Sequence, residues 1–282
     1  MLKIVECPRD AMQGIPEFIP TEVKIDYLNL LLKVGFHTLD FGSFVSPKAI
    51  PQLVDTREVL AGLDLSETST KLLAIVANYR GAQDATKHEA IDYLGYPFSI
   101  SETFQRRNTN ASIEQSIGRV EEIQKLCQKG NKQLVIYLSM GFGNPYGDPY
   151  HEDILAKWIE KLVALEIQVF APSDTIGAAK PDLIKRVYQT LIPEFPELEI
   201  GAHLHTTPDS WEEKVEAAYL AGCRRFDGAI AGFGGCPMAA DELTGNMPTE
   251  RMVDYLNKVG EDLALNKDAF EKARSMASKV FE

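Results

Sequence analysis

The chain has only four cysteines, Cys7, Cys127, Cys223 and Cys236, and no two of them form a CxxC pair. That scatter argues against structural zinc and against a disulfide framework, and leaves room for a single reactive thiol. Basic residues are in deficit, with 29 Lys and Arg against 41 Asp and Glu and a formal net charge of −12. Phosphate binding wants a basic face, so nucleic acid is excluded as the main partner. An anionic small substrate is not excluded, because a few local cations can oppose the global field. No apolar run approaches the length that spans a membrane. The opening MLKIVECPRD intersperses charges among its apolar residues and lacks the apolar core of a signal peptide, so the expected setting is cytoplasmic. Also missing is a glycine-rich phosphate turn after the first apparent strand: CPRDAMQG is not one, which counts against a doubly wound open sheet.

What the sequence does have is an eightfold alternation. β-like runs at Lys3–Cys7, His37–Phe41, Lys71–Ala77, Tyr96–Ile100, Gln133–Ser139, Gln168–Ala171, Glu199–His203 and Arg225–Ala229 are separated by amphipathic stretches. Helix signals punctuate these stretches. Thr21 and Glu22 precede an apolar-periodic run that ends at Gly35. Ser112 and Gln115 have capping-box spacing, with Gly130 as the stop. Asp209 opens a helix that Gly222 closes, and a final helix starts near Thr249. The third unit, around Ala82–His88, carries the weakest pattern. Across 282 residues there is no long linker and no shift in composition. The expectation is an α/β fold: a single (β/α)8 TIM barrel over residues 1–282, with a C-terminal helical segment from about 249 to 282 packed on the barrel.

In such a barrel, chemistry belongs just after the strands, at their C-terminal face. Arg9 and Asp10 follow strand one, Asp40 ends strand two, Ser139 ends strand five and Asp174 follows strand six. His203 and His205 finish strand seven, and a loop with Cys236 and Asn246 follows strand eight. Residues two apart on a strand point the same way, so the H-x-H pair can present both imidazoles to one ion. A metal-free, hydrogen-bonded pair is the plain alternative for an isolated H-x-H. Asp10 and Asn246 at the same face tilt the balance, because two nitrogens and two oxygens suit Mg or Mn with open positions better than closed zinc. Adjacent Arg9 and Asp10 could be a surface ion pair. After a buried strand, the pair instead sets a fixed cation beside a metal-binding carboxylate, as an enolate or carboxylate requires. Cys236, in the glycine-rich AGFGGCPMAADELTGN, reads either as part of a flexible loop or as an acid/base. Ser173, Asp174 and Thr175 read as a helix cap or as support for the metal site. The remaining cysteines read as packing residues.

The strings DFGSFVSPKAIPQ, SETFQRRN with SIEQS, DTIG, HLH, AGFGGCP and TGNMPTE, in that order from about Lys3 to Leu256, resemble hydroxymethylglutaryl-CoA lyases. These are metal-dependent TIM-barrel lyases related to isopropylmalate and homocitrate synthases, and SFVSPK and GGCP followed by GN resemble the lyase branch. The resemblance implies that Asp10, His203, His205 and Asn246 bind Mg or Mn. It further implies that Arg9, Asp40 and Cys236 are catalytic, Arg9 stabilising an enolate, Asp40 standing as the acid at the end of strand two and Cys236 moving a proton, and that Ser139, Asp174 and Thr206 contact substrate or support the ligands. The implied reaction is retro-Claisen cleavage of a 3-hydroxy-3-methylglutaryl thioester to acetyl-CoA and acetoacetate. CoA is part of the substrate there, not a cofactor, and a homodimer or larger assembly is implied. The sequence departs from the usual GPRDGLQNE opening with CPRDAMQGI, carries Asp40 in place of Glu, and has HLHTT where HxHDT is usual, which places Thr206 where a carboxylate is expected. These departures set two alternatives beside the first reading: a related lyase or aldolase acting on another 3-hydroxy acid or acyl-CoA, and a catalytically silent barrel that binds a partner.

Overall fold

The computed structural model describes residues 1–235 and 244–281. Eight parallel strands lie in chain order: β1 (Lys3–Glu6), β2 (Thr38–Ser43), β3 (Lys71–Ile75), β4 (Ile91–Ser99), β5 (Gln133–Ser139), β6 (Val169–Asp174), β7 (Glu199–Ile200 continuing as Ala202–Thr206) and β8 (Arg225–Gly228). Each pairs in parallel with the next, and β8 pairs back onto β1, with Lys3 opposite Arg225 and Glu6 opposite Gly228. The sheet is therefore closed, and the TIM barrel expected from the alternation is present.

Alternation within the strands builds two cores. Leu73, Ile75, Val135, Tyr137, Val169 and Ala171 point inward and fill the barrel. Their neighbours Leu72, Ala74, Leu134, Ile136 and Phe170 point outward and pack under the helices. Several strand ends differ from the sequence expectation. β4 begins at Ile91 rather than Tyr96, because Asp92, Gly95 and Pro97 disguise it. Gly95 is needed there: a β-carbon would lie 2.5 Å from Ile75 and 2.9 Å from the Tyr137 ring. β6 and β7 run on to Asp174 and Thr206. β7 is interrupted at Gly201, where the Arg225 side chain would meet a β-carbon at 2.8 Å.

The helix signals hold where they rest on capping chemistry. Ser112 and Gln115 form a reciprocal capping box at the start of Ile113–Lys129, and Gly130 caps its end. The helix expected from Asp209 begins at Trp211. The C-terminal segment is two helices, Thr249–Lys258 and Lys267–Phe281. The second lies against Thr21–Leu32, with edge-on ring contacts Tyr27–Phe281 and Phe36–Phe270. Among the described residues, no helix is long and apolar enough to cross a membrane.

Glu6, on β1, ties the barrel to its C-terminal face. Fully buried, it accepts hydrogen bonds from the Ile230 amide (2.9 Å) and the Thr249 hydroxyl (2.5 Å). Burial raises its carboxyl from 4.5 to about 8, against the lowering effect of those two bonds. The folded protein holds this proton more tightly than the unfolded chain. The resulting stabilisation is complete below about pH 4.5 and is lost as the pH rises to about 8, on the order of 5 kcal/mol across that window. Glu6→Gln is expected to flatten this part of the stability profile; urea midpoints at pH 5 and pH 8 for both proteins check it. Equal pH slopes in the two would contradict it.

Candidate active site

Strand β1 delivers the chain into a short helix, Pro8–Gln13, whose first turn carries Arg9 and Asp10; proline fits this first position because its missing N–H would be unbonded there. Across the mouth, His203 and His205 share one side of β7, their ring centroids 5.3 Å apart. Asp10, His203 and His205 each offer a ligand atom within 4.8 Å of the others, and all three lie buried in the site. Asn246 sits on a two-residue ribbon, Gly245–Asn246, paired antiparallel with the end of β7 so that it lies opposite His205. Its amide nitrogen donates to Asp10 Oδ2 (3.0 Å) and to the Phe233 carbonyl (2.8 Å), and Thr206 Oγ1 donates to its backbone carbonyl (3.1 Å). The four residues named from the strand ends therefore converge.

Hydrogen bonds set the tautomers. His205 Nδ1 lies 2.9 Å from the Thr175 carbonyl, which can only accept, so Nδ1 carries the proton. Its Nε2 is left with a lone pair, buried and without a partner among the described residues. His203 Nδ1 lies 3.2 Å from Asp227 Oδ2, which orients that ring in the same way. An orphaned imidazole nitrogen beside a second imidazole and a carboxylate is a donor set that fits a divalent ion with open positions.

The charges are arranged to match. Burial raises the Asp10 carboxyl, but Arg9, the two histidines and Asn246 outweigh it and hold the pKa at about 2. Burial, reinforced by His203, lowers His205 to about 4, so it is neutral near pH 7. Burial also opposes charge on His203, but Asp227 more than offsets this and raises its pKa. All three nitrogens of the Arg9 guanidinium are engaged. Nη2 and Nε donate to Asp40 Oδ2 at 2.6 and 3.0 Å, and Nη1 donates to Asp10 (2.8 Å) and Gln13 (2.9 Å). Asp40 is completely buried behind Arg9, and burial raises its carboxyl to about 6 against Arg9's lowering effect.

A cavity of about 420 Å³ opens over this group. Arg9, Asp10, Ser139, His203 and His205 give it a polar end, and Val45, Ile50, Ile75, Ala77 and Pro97 an apolar wall. Asp40 stands behind the lining rather than in it. Asp174 does not touch the imidazoles. It accepts from the Ala179 amide and pairs with buried Lys214 (2.7 Å), whose ammonium also donates to the His205 carbonyl (2.7 Å). Asp174 is thus both a local cap and a brace on the His205 backbone. Cys236 lies outside the described residues. Sequence reasoning missed Asp227, Gln13 and Lys214, whereas Thr175 is among the residues expected, with Ser173 and Asp174, to support the metal site. Asp227 was within reach, since it is two residues past inward-pointing Arg225 and in register with His203.

Fold and site together define a TIM-barrel enzyme with a carboxylate–imidazole cluster in the mouth of its barrel. The HMGL-like family model matches residues 2–277, and the chain belongs to that family. The chain is 34% identical to hydroxymethylglutaryl-CoA lyase YngG of Bacillus subtilis, covering 98% of this chain and 90% of that protein. It is 30% identical to the human cytoplasmic 3-hydroxy-3-methylglutaryl-CoA lyase, over 94% and 71% of the two chains. The crystal structure of the Bacillus subtilis HMG-CoA lyase superposes with a TM-score of 0.92 at 32% identity, covering 99% and 93%. That of an Acinetobacter baumannii HMG-CoA lyase in complex with coenzyme A and 3-methylmalate gives 0.91 at 32%, covering 100% and 91%. The chain is a hydroxymethylglutaryl-CoA lyase-like enzyme, of the carbon–carbon lyase class.

Proposed function

We propose that this lyase cleaves 3-hydroxy-3-methylglutaryl-CoA to acetyl-CoA and acetoacetate. The observation that carries the reading is the unpartnered Nε2 of His205, aligned with His203 and Asp10 beside an Arg9 held by Asp40, Asp10 and Gln13. Asp10, His203, His205 and Asn246 would hold Mg or Mn. When bound, such an ion supplies a Lewis acid for the substrate's tertiary hydroxyl and free carboxylate.

The remaining chemistry falls to the protein. Loss of the hydroxyl proton to solvent lets that oxygen's electrons form a carbonyl as the bond to the thioester arm breaks, and the bonding pair passes to the thioester as an enolate. Arg9, held rigid by Asp40 and Gln13, faces that developing negative charge with a cation that needs no reorganisation. Asp40 acts here as a positioning residue: it fixes Arg9 and does not reach the substrate. We assign Cys236 the proton that converts the enolate to the acetyl thioester, Ser139 a place against the substrate, and Asp174 and Thr206 the support of His205 and Asn246. The apolar wall of Val45, Ile50 and Ile75 suits the substrate's methyl and methylene groups. The enzyme would work in the cytoplasm as a homodimer or larger assembly.

Incubation with 3-hydroxy-3-methylglutaryl-CoA and Mn is expected to yield acetoacetate and acetyl-CoA in equal amounts. No product at millimolar Mn would overturn this substrate assignment and favour another 3-hydroxyacyl thioester.

A further inference from the structure

A second group of metal-binding side chains stands behind the first. Cys7, at the junction of β1 and the helix Pro8–Gln13, places its sulfur within 4.8 Å of ligand atoms of His203 and Asp227, which are themselves that close together, and all three residues lie buried. His203 is common to both groups. Its Nδ1 faces Asp227 Oδ2 at 3.2 Å. That is long for a charge-assisted hydrogen bond, whose usual range is about 2.7–2.9 Å. It is close to the roughly 3.3 Å that separates two ligand atoms held tetrahedrally about 2.0 Å from one ion.

Two further observations bear on this group. The Cys7 sulfur makes only a weak 3.8 Å approach to the Val5 carbonyl among the described residues, so little holds the thiol in place. Tyr137, more than nine-tenths buried, packs edge-on against the His203 ring and leaves its hydroxyl without a partner among the described residues. Arg225, paired with Glu199 at 3.0 Å, lies 3.7 Å from Asp227 Oδ1, the oxygen that does not face His203. The donor chemistry also differs between the groups. Asp10, His205 and Asn246 bring oxygen and nitrogen, whereas Cys7 brings sulfur, and thiolate selects thiophilic ions over Mg and Mn.

We propose that Cys7, His203 and Asp227 form a second site, for a thiophilic divalent ion of the zinc class. Binding there expels the Cys7 thiol proton to solvent and shifts the His203 Nδ1 proton to Nε2. It also engages the imidazole that the first site needs, so such an ion opposes Mg or Mn at the mouth.

Cobalt, titrated into the full chain carrying Cys236→Ser, tests this. The expected result is a thiolate-to-cobalt absorption in the near ultraviolet, saturating at one equivalent, and its loss in Cys7→Ser/Cys236→Ser. No thiolate band in Cys236→Ser, or a band that survives Cys7→Ser, overturns the site. Should Cys7→Ser fail to fold, as circular dichroism will report, Asp227→Asn in the Cys236→Ser chain provides the second arm. Cobalt affinity at least tenfold weaker is expected there, and unchanged affinity overturns the proposal. Manganese binding by electron paramagnetic resonance, read on Cys7→Ser/Cys236→Ser, separates the two sites. Retention within about twofold is expected, and loss together with the thiol would make them one site.

Discussion

His205→Ala is expected to abolish tight Mn binding and to lower kcat/KM by at least about 10³-fold. The size of the effect follows from the geometry. Loss of a group that merely orients a metal ligand typically costs about 10–100-fold, and His205 offers the ion its lone pair directly. His205 Nδ1 is committed to the Thr175 carbonyl, so the orphaned Nε2 is the only ring nitrogen free to bind. With a pKa of about 4, the ring does not have to give up a proton to the ion near neutral pH. Manganese titration followed by electron paramagnetic resonance checks the binding, and thioester cleavage checks the rate. A His205→Ala protein that binds Mn as tightly as the wild type would remove His205 from the ligand set.

Arg9→Met separates catalysis from stability. Removing the cation that faces the developing enolate is expected to lower kcat by about 10²–10³-fold, the range for a preorganised oxyanion donor. Ion binding should not weaken, because a positive charge leaves the neighbourhood of Asp10. The same substitution strands Asp40, which is fully buried and has Arg9 as its ion-pair partner. Breaking a buried pair from one side costs on the order of 3–5 kcal/mol. Without Arg9 the Asp40 pKa, already about 6, rises further. The loss of stability therefore grows as the pH rises through that value, where the lone carboxylate is forced to ionise. Arg9→Met/Asp40→Asn removes the stranded charge. It is expected to regain most of the stability and none of the rate, as urea midpoints at pH 6 and 8 and kcat would show. Recovery of rate in the double variant would deny Arg9 its role.

The features legible in the sequence were those written in local spacing. Strand–helix alternation defined the barrel, and the H-x-H pair with Asp10 lay at strand ends, where a barrel gathers side chains. Strand β4 was half hidden because Gly95 and Pro97 answer to the Tyr137 ring and to the neighbouring strand rather than to periodicity. Asp40 read as a catalytic acid because it ends a strand at the right face; only packing reveals that Arg9 stands in front of it. Asp227 and Lys214 escaped notice for the same reason. They act on histidines 24 and 9 residues away in sequence, through contacts that the closed barrel creates.

The most direct measurement is reconstitution. The protein is stripped with a chelator, mixed with 3-hydroxy-3-methylglutaryl-CoA, and assayed for acetoacetate as Mn is added. The expected result is no cleavage in the stripped protein and full recovery at one equivalent of Mn per chain. Undiminished cleavage by the stripped, metal-free protein would contradict a catalytic ion held by Asp10, His203, His205 and Asn246.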